Sequence, residues 1–171
     1  MRYETVDVRN IDGKIVRISK EDAPVYKARY AESEYTRALW LRKIDYQTNR
    51  ILIRGVLRRE ISGRAALEAI NRLDPTKDID IIKKIAGKAL TPIAIYQDPT
   101  MMARATGKLI YENDRELLRD LAVCEVWEVR SIAVAKLHRE KDHDILEIAL
   151  TDARHQVRTS AQEVLGLQKT L

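Results

Sequence analysis

Apolar residues recur at intervals of three and four over most of this chain, and they alternate with polar ones only near its start. The segment Thr5-Val-Asp-Val-Arg-Asn-Ile-Asp-Gly-Lys-Ile-Val-Arg-Ile-Ser19 has period two on both sides of Asp12-Gly13. That pattern predicts a two-stranded hairpin, because Asp-Gly accepts the positive φ angles of a tight turn. A lone hairpin is marginal in water, so Val6, Val8, Ile15, Val16 and Ile18 require a surface to lie on. Ser19 and Asp22 before Pro24 supply candidate helix caps. From residue 33 to 61 the pattern turns helical, carried by Tyr35, Leu39, Ile44, Ile51, Leu52, Val56 and Leu57, with a break expected at Thr48-Asn49.

One line of sequence then returns four times: Glu60 to Leu73, Asp98 to Tyr111, Cys124 to Leu137 and Asp152 to Leu165. The starts are 38, 26 and 28 residues apart. Self-similarity at such a spacing predicts a stacked array, since one unit alone cannot bury its apolar face. Two further amphipathic segments, Asp114 to Val123 and Asp142 to Thr151, precede the last two lines and align with each other, so each unit reads helix, turn, helix. Asp74-Pro75 and Asp98-Pro99 mark helix starts, where the missing proline N–H costs nothing. Thr91-Pro92 lies in the long first interval and predicts an extra turn or a kink there. The expected fold is all-α, about three to four helix pairs in a solenoid, with strand confined to residues 3–19. Residues 1–32 form a hairpin and connector in this reading, and residues 33–171 the repeat domain.

Val129-Arg130-x-x-Ala133-x-x-x-Leu137 and Val157-Arg158-x-x-Ala161-x-x-x-Leu165 resemble the second helix of HEAT repeats, of the short type found in phycobilisome lyases. The resemblance covers residues 114–167 well and 60–111 weakly. It implies a ladder in which a turn Asp and a second-helix Arg bond along the array, giving structural roles to Asp98 with Arg104, to Arg130, and to Asp152 with Arg158. Cys124 replaces the turn Asp of the third copy and Ala66 the Arg of the first, so the ladder is incomplete. Independently of the resemblance, Val129, Ala133 and Leu137 share one helical face, and small residues at Ala69, Gly107, Ala133 and Ala161 are expected to let the paired helix approach.

Composition sharpens this picture in a few places. The absence of Phe and the small number of Gly and Pro suit a helical chain. A single cysteine, Cys124, excludes an internal disulfide, and with no apolar run near the roughly 18 residues of a membrane span a soluble cytoplasmic protein is expected. Charge is uneven: residues 1–60 hold 14 Lys/Arg against 9 Asp/Glu, and residues 61–171 hold 17 of each. Arg50, Arg54 and Arg58 fall on one stripe, a candidate contact for phosphate or an acidic partner. His138 and His143 are five apart and do not share a helical face, so no metal site is expected, and no phosphate loop, nucleophile triad or cofactor motif is present. The function expected is non-catalytic: a rigid scaffold or adaptor for a protein partner. The alternative is nucleic-acid binding through the basic segment 37–64. Self-association through the ends of the array is also expected, because the terminal Val164-Leu-Gly-Leu carries no recognisable cap.

Overall fold

The computed structural model describes residues 4–10, 12–59, 63–91 and 98–167. Among them are one antiparallel strand pair and ten α-helices. The chain divides into two compact units, Met1–Leu73 and Asp74–Leu171. None of the helices searched is long and apolar enough to cross a membrane.

In the first unit β1 (Thr5–Arg9) pairs with β2 (Ile15–Ser19) in the register Val6↔Ile18 and Val8↔Val16. Those four side chains share one face by the strand period, and Val8 is buried where β1 meets helix α1 (Ala23–Tyr30). Ile15 departs from the expected apolar face. It pairs with Arg9 on the opposite side and stays exposed. The turn also differs from a two-residue one. Among the described residues of the turn only Gly13 takes positive φ, at 76°, while the Asn10 side chain accepts bonds from the Asp12 and Lys14 amides at 3.1 and 2.9 Å.

Residues placed by sequence in a connector thus contain α1, begun by Pro24 in its first turn. It packs on α2 (Glu34–Leu41), which Ser33 caps through the Thr36 amide. Next come α3 (Tyr46–Arg59) and α4 (Gly63–Arg72), which pack on each other, while α2 meets α4 and α1 meets α3. Asn49 leaves helical geometry at φ −115°, ψ 18°, the break expected there. The Glu34 carboxylate of α2 accepts the Ala65 amide at 3.2 Å, a negative charge on the positive end of α4. Room for it comes from Gly63, which has φ +86° and whose Cβ, if it had one, would collide with that carboxylate.

The second unit holds three helix pairs: α5 (Ile79–Ala86) with α6 (Pro99–Gly107), α7 (Tyr111–Ala122) with α8 (Trp127–Val134), and α9 (His143–Leu150) with α10 (His155–Leu165). The helices α6, α8 and α10 lie side by side in that order. A 3-10 turn, Gly87–Leu90, supplies an extra turn before Thr91, while Pro92 lies outside the described residues. Buried positions correct the repeat alignment. Met101, Ala105 and Leu109 are the buried counterparts of Val129, Ala133 and Leu137 and of Val157, Ala161 and Leu165. The second copy therefore slips by two residues. Ala105 rather than Gly107 faces the paired helix, and Gly107 is exposed with only Ile132 Cγ2 at 4.0 Å from the place of a Cβ.

Gly63→Ala is expected to cost about 1 to 3 kcal/mol, because a left-handed backbone and a displaced carboxylate add together. Gly107→Ala should stay within about 1 kcal/mol of the native protein. Urea unfolding followed by Trp40 fluorescence for the first variant and Trp127 for the second checks both.

Candidate interaction surface

Most polar chemistry in the second unit is consumed by its own architecture. Asp78, Asp114 and Asp142 are buried, at 0, 3 and 0% exposure, and each sits just before the main run of a first helix at φ between −111° and −128°. Each makes a reciprocal clasp with the residue four positions earlier. The carboxylates accept the amides of Asp74, Ile110 and His138 at 3.0, 2.8 and 3.0 Å. The amides of the same three aspartates donate back to the carbonyls of Asp74, Ile110 and His138 at 3.0, 2.9 and 3.0 Å. A cation five residues after one aspartate then reaches the next: Lys83 pairs with Asp114 at 2.7 Å, and Arg119 with Asp142 at 2.9 Å.

Arg115 joins Arg119 on Asp142 at 2.9 Å, and Arg119 also holds Asp144 at 2.6 Å. Burial alone would raise the Asp142 pKa, but the His138 amide and the Arg119 guanidinium outweigh it and hold the carboxyl at about 2. Repetition of the arrangement at Lys83–Asp114 marks it as structural, even though displaced pKa values often point to active sites.

A second ladder runs along α8 and α10. Arg130 grips Asp152 of the following turn through Nε and Nη2 at 2.7 and 3.0 Å and donates to the carbonyls of Cys124 and Glu125 at 2.8 and 3.0 Å. Arg158 donates to the Asp152 and Ala153 carbonyls at 2.7 and 3.1 Å. In the first unit Arg37 makes the same contact, to Ala31 and Glu32, at 2.6 and 3.0 Å. Asp98 and Arg104 do not bond to each other among the described residues. Asp98 instead caps α6 through the Thr100 and Met101 amides, and Arg104 is exposed, because in the corrected alignment the ladder position of α6 is Met102.

The remaining candidates are quiet. Cys124 is buried, and burial raises its thiol pKa, so it is not a poised nucleophile. His143 sits 3.6 Å from Glu147, His138 Nδ1 accepts the Glu140 amide, and His155 Nδ1 is 3.3 Å from the Thr159 hydroxyl. Among the described residues no three His, Cys, Asp or Glu side chains gather as metal ligands. Arg154 lies over the Trp127 ring, and Lys27 and Lys43 each lie over the Trp40 ring, at 5.0 and 4.5 Å.

The three arginines of the stripe in the first unit are unequally exposed. Arg50 and Arg54 are half-buried and neither is free, whereas Arg58 is exposed. Arg42 is held by Glu68 at 2.8 Å, and Arg72 donates to the Arg42 and Ile44 carbonyls at 3.2 and 2.6 Å.

What the first unit does leave open is a groove of about 470 Å³ walled by α1 and α3. Val25, Ile51, Leu52 and Val56 give it an apolar lining, and Thr48 and Asn49 a polar edge. Arg29 and Arg58 line it as well, and among the described residues no carboxylate does. Ile51 is 89% exposed, the highest value among the large apolar side chains described. Ile51, Tyr35 and Leu39, which carry part of the helical periodicity of residues 33–61, are all exposed. The core of α2 is formed instead by Ala38 and Leu41. Comparison of the chain with known protein families, characterised proteins and solved structures finds no match.

Two outcomes follow for the ladders. The depressed pKa of Asp142 contributes stability that is complete above the unfolded value near 4 and is lost as pH falls from there through about 2. Asp142→Asn should therefore cost about 2 kcal/mol or more at pH 7 and much less near pH 2, read from urea midpoints of Trp127 fluorescence. A double-mutant cycle on Arg130→Ala and Asp152→Ala should give a coupling of about 1 to 3 kcal/mol. Arg158→Ala, which loses only carbonyl contacts, should cost less than Arg130→Ala in the same assay.

Proposed function

We propose that the chain is a non-catalytic binding protein, a HEAT-like α-solenoid scaffold whose first unit takes a protein partner in the groove between α1 and α3. The observation that carries this reading is the groove itself, where Ile51 stands 89% exposed on a helix that has a buried face of its own. An apolar side chain held in water beside arginines fits the anchor-and-rim anatomy of protein interfaces. Helix pairs joined by recurring Asp and Arg contacts support the HEAT-like part of the proposal. The chemistry supports a non-enzymatic role: Asp142, Asp144 and Asp152 are occupied in internal ion pairs.

Nucleic-acid binding through residues 37–64 is the competing reading, and one observation favours it: residues 1–73 hold 16 Lys/Arg against 10 Asp/Glu. Against it, Arg37 and Arg42 are held internally, and phosphates gain nothing from an apolar floor.

A partner captured by the intact protein and then purified is expected to lose at least about tenfold in affinity with Ile51→Asp and with Arg58→Glu, measured by calorimetry, while both variants melt like the native protein. Duplex DNA binding that falls steeply between about 50 and 200 mM salt, is lost with Arg58→Glu and survives Ile51→Asp would transfer the function to nucleic acid.

A further inference from the structure

We propose that the outer edge of the hairpin joins two copies of this chain: β2 pairs antiparallel with β2 of a second copy about a two-fold axis at Val16, making one four-stranded sheet. This surface is separate from the groove between α1 and α3.

The main chain supplies the first reason. The Lys20 amide donates to the Glu4 carbonyl at 2.9 Å, so in the register Val6↔Ile18 and Val8↔Val16 the even-numbered residues of β2 direct their N–H and C=O groups at β1. Those of Ile15, Arg17 and Ser19 point the other way, and among the described residues no main-chain hydrogen bond reaches them. β1 is the strand that meets α1, and at its end the Arg9 carbonyl accepts the Glu32 amide at 3.3 Å. The usual guards of a free edge are missing from Ile15–Ser19. That stretch holds no proline, its one-to-one register has no bulge, and its one charged side chain, Arg17, is tied to Asp7 at 2.9 Å. Ile15 stands 68% exposed on it.

Charge selects the register. Outward-pointing residues must pair with outward-pointing residues, so the axis can fall on Val16, Arg17 or Ile18. At Arg17 it would set Arg17 against Arg17 and, on either side, Lys14 against Lys20, all of them like charges. At Ile18 it would set Val16 against Lys20 and Ile15 against Glu21, past the end of the strand at Ser19. At Val16 it sets Val16 against Val16, Ile15 against Arg17 and Lys14 against Ile18, and brings the turn residue Asp12 to the Lys20 end of the other copy, opposite charges at both ends.

Burial points to the same axis. The aliphatic stem of Arg17 would cover the exposed Ile15 of the other copy. Val16 and Ile18 are only half-buried within one copy, and their apolar face, shared with Val6 and Val8, would continue through the axis. An unrelated extended segment would match the main chain but not these side chains. Two strands alone are marginal in water, whereas four make a sheet of ordinary size.

Sedimentation of the intact protein from micromolar to near-millimolar concentration tests the proposal, and a reversible dimer is expected. Ile15→Pro removes only an outward N–H at the first residue of β2, so it should melt like the native protein and raise the dimer dissociation constant at least about tenfold. Val16→Cys should give a disulfide-linked dimer on mild oxidation, because facing residues in a non-hydrogen-bonded antiparallel pair have Cα atoms about 4.5 Å apart, within reach of a disulfide. Ile15→Cys should not, although Ile15 is the more exposed of the two, and the native Cys124 is buried and does not compete. A monomer at every concentration overturns the proposal. So does a dimer that Ile15→Pro leaves intact, or crosslinking through Ile15→Cys, Arg17→Cys or Ile18→Cys in preference to Val16→Cys. A dimer lost with Ile51→Asp and kept with Ile15→Pro overturns it in favour of self-association through the α1–α3 groove.

Discussion

A carboxylate taken out of water must find hydrogen-bond donors, and the second unit is organised around three that do, two of them with a counter-charge as well. Asp78, Asp114 and Asp142 close a one-turn clasp ahead of each first helix. The clasp fixes where that helix starts and therefore which of its faces meets the core. For Asp114 and Asp142 the counter-charge comes from the preceding pair, through Lys83 and Arg119. Local helix start and stacking register are thereby the same interaction. Removing Lys83 would leave the buried Asp114 without the cation that pairs with it, whereas Asp142 would keep Arg115 if Arg119 were removed.

The last helix pair ends this pattern through its side chains. At the position of Lys83 and Arg119 it carries Glu147, and Gln162 stands in α10 where α8 has the buried Val134. At these two positions the last pair thus carries an anion in place of a cation and an amide in place of a buried valine, while Ile148 beside them is exposed.

The two units use their side chains differently. In the second, arginines and aspartates point at one another and at turn carbonyls, leaving little unspent chemistry. The first keeps the same carbonyl contact at Arg37 but replaces the buried aspartate with Asn49, which donates to the Asp45 carbonyl at 3.0 Å and asks for no counter-cation. The α1–α3 groove of this unit, with Arg58 at its wall, lies beside that neutral clasp, and Asn49 lines both.

Much of this was legible from sequence. Alternation at residues 5–19 and three-and-four periodicity elsewhere gave the strand pair and the helices, because burial of one face imposes those periods. Asn49 marked a helix break through its side chain's bond to nearby backbone. The pattern Asp-x-Asp/Glu-Ile/Leu-Ile/Leu at Asp78, Asp114 and Asp142 was also in plain view, yet a lone Asp before an apolar run reads equally as an exposed cap, and burial alone tells the two apart. Tertiary structure decided the rest. The register of α6 turned on which of Ala105 and Gly107 faces its neighbour. The partner of Arg130 depended on a turn 22 residues away. The groove could be read only from the packed fold, which buries Ile53, Val56 and Leu57 of α3 and leaves Ile51 in water. Periodicity tells which side chains share a helical face, but which face is covered depends on neighbours distant in sequence, and only the packed fold supplies them.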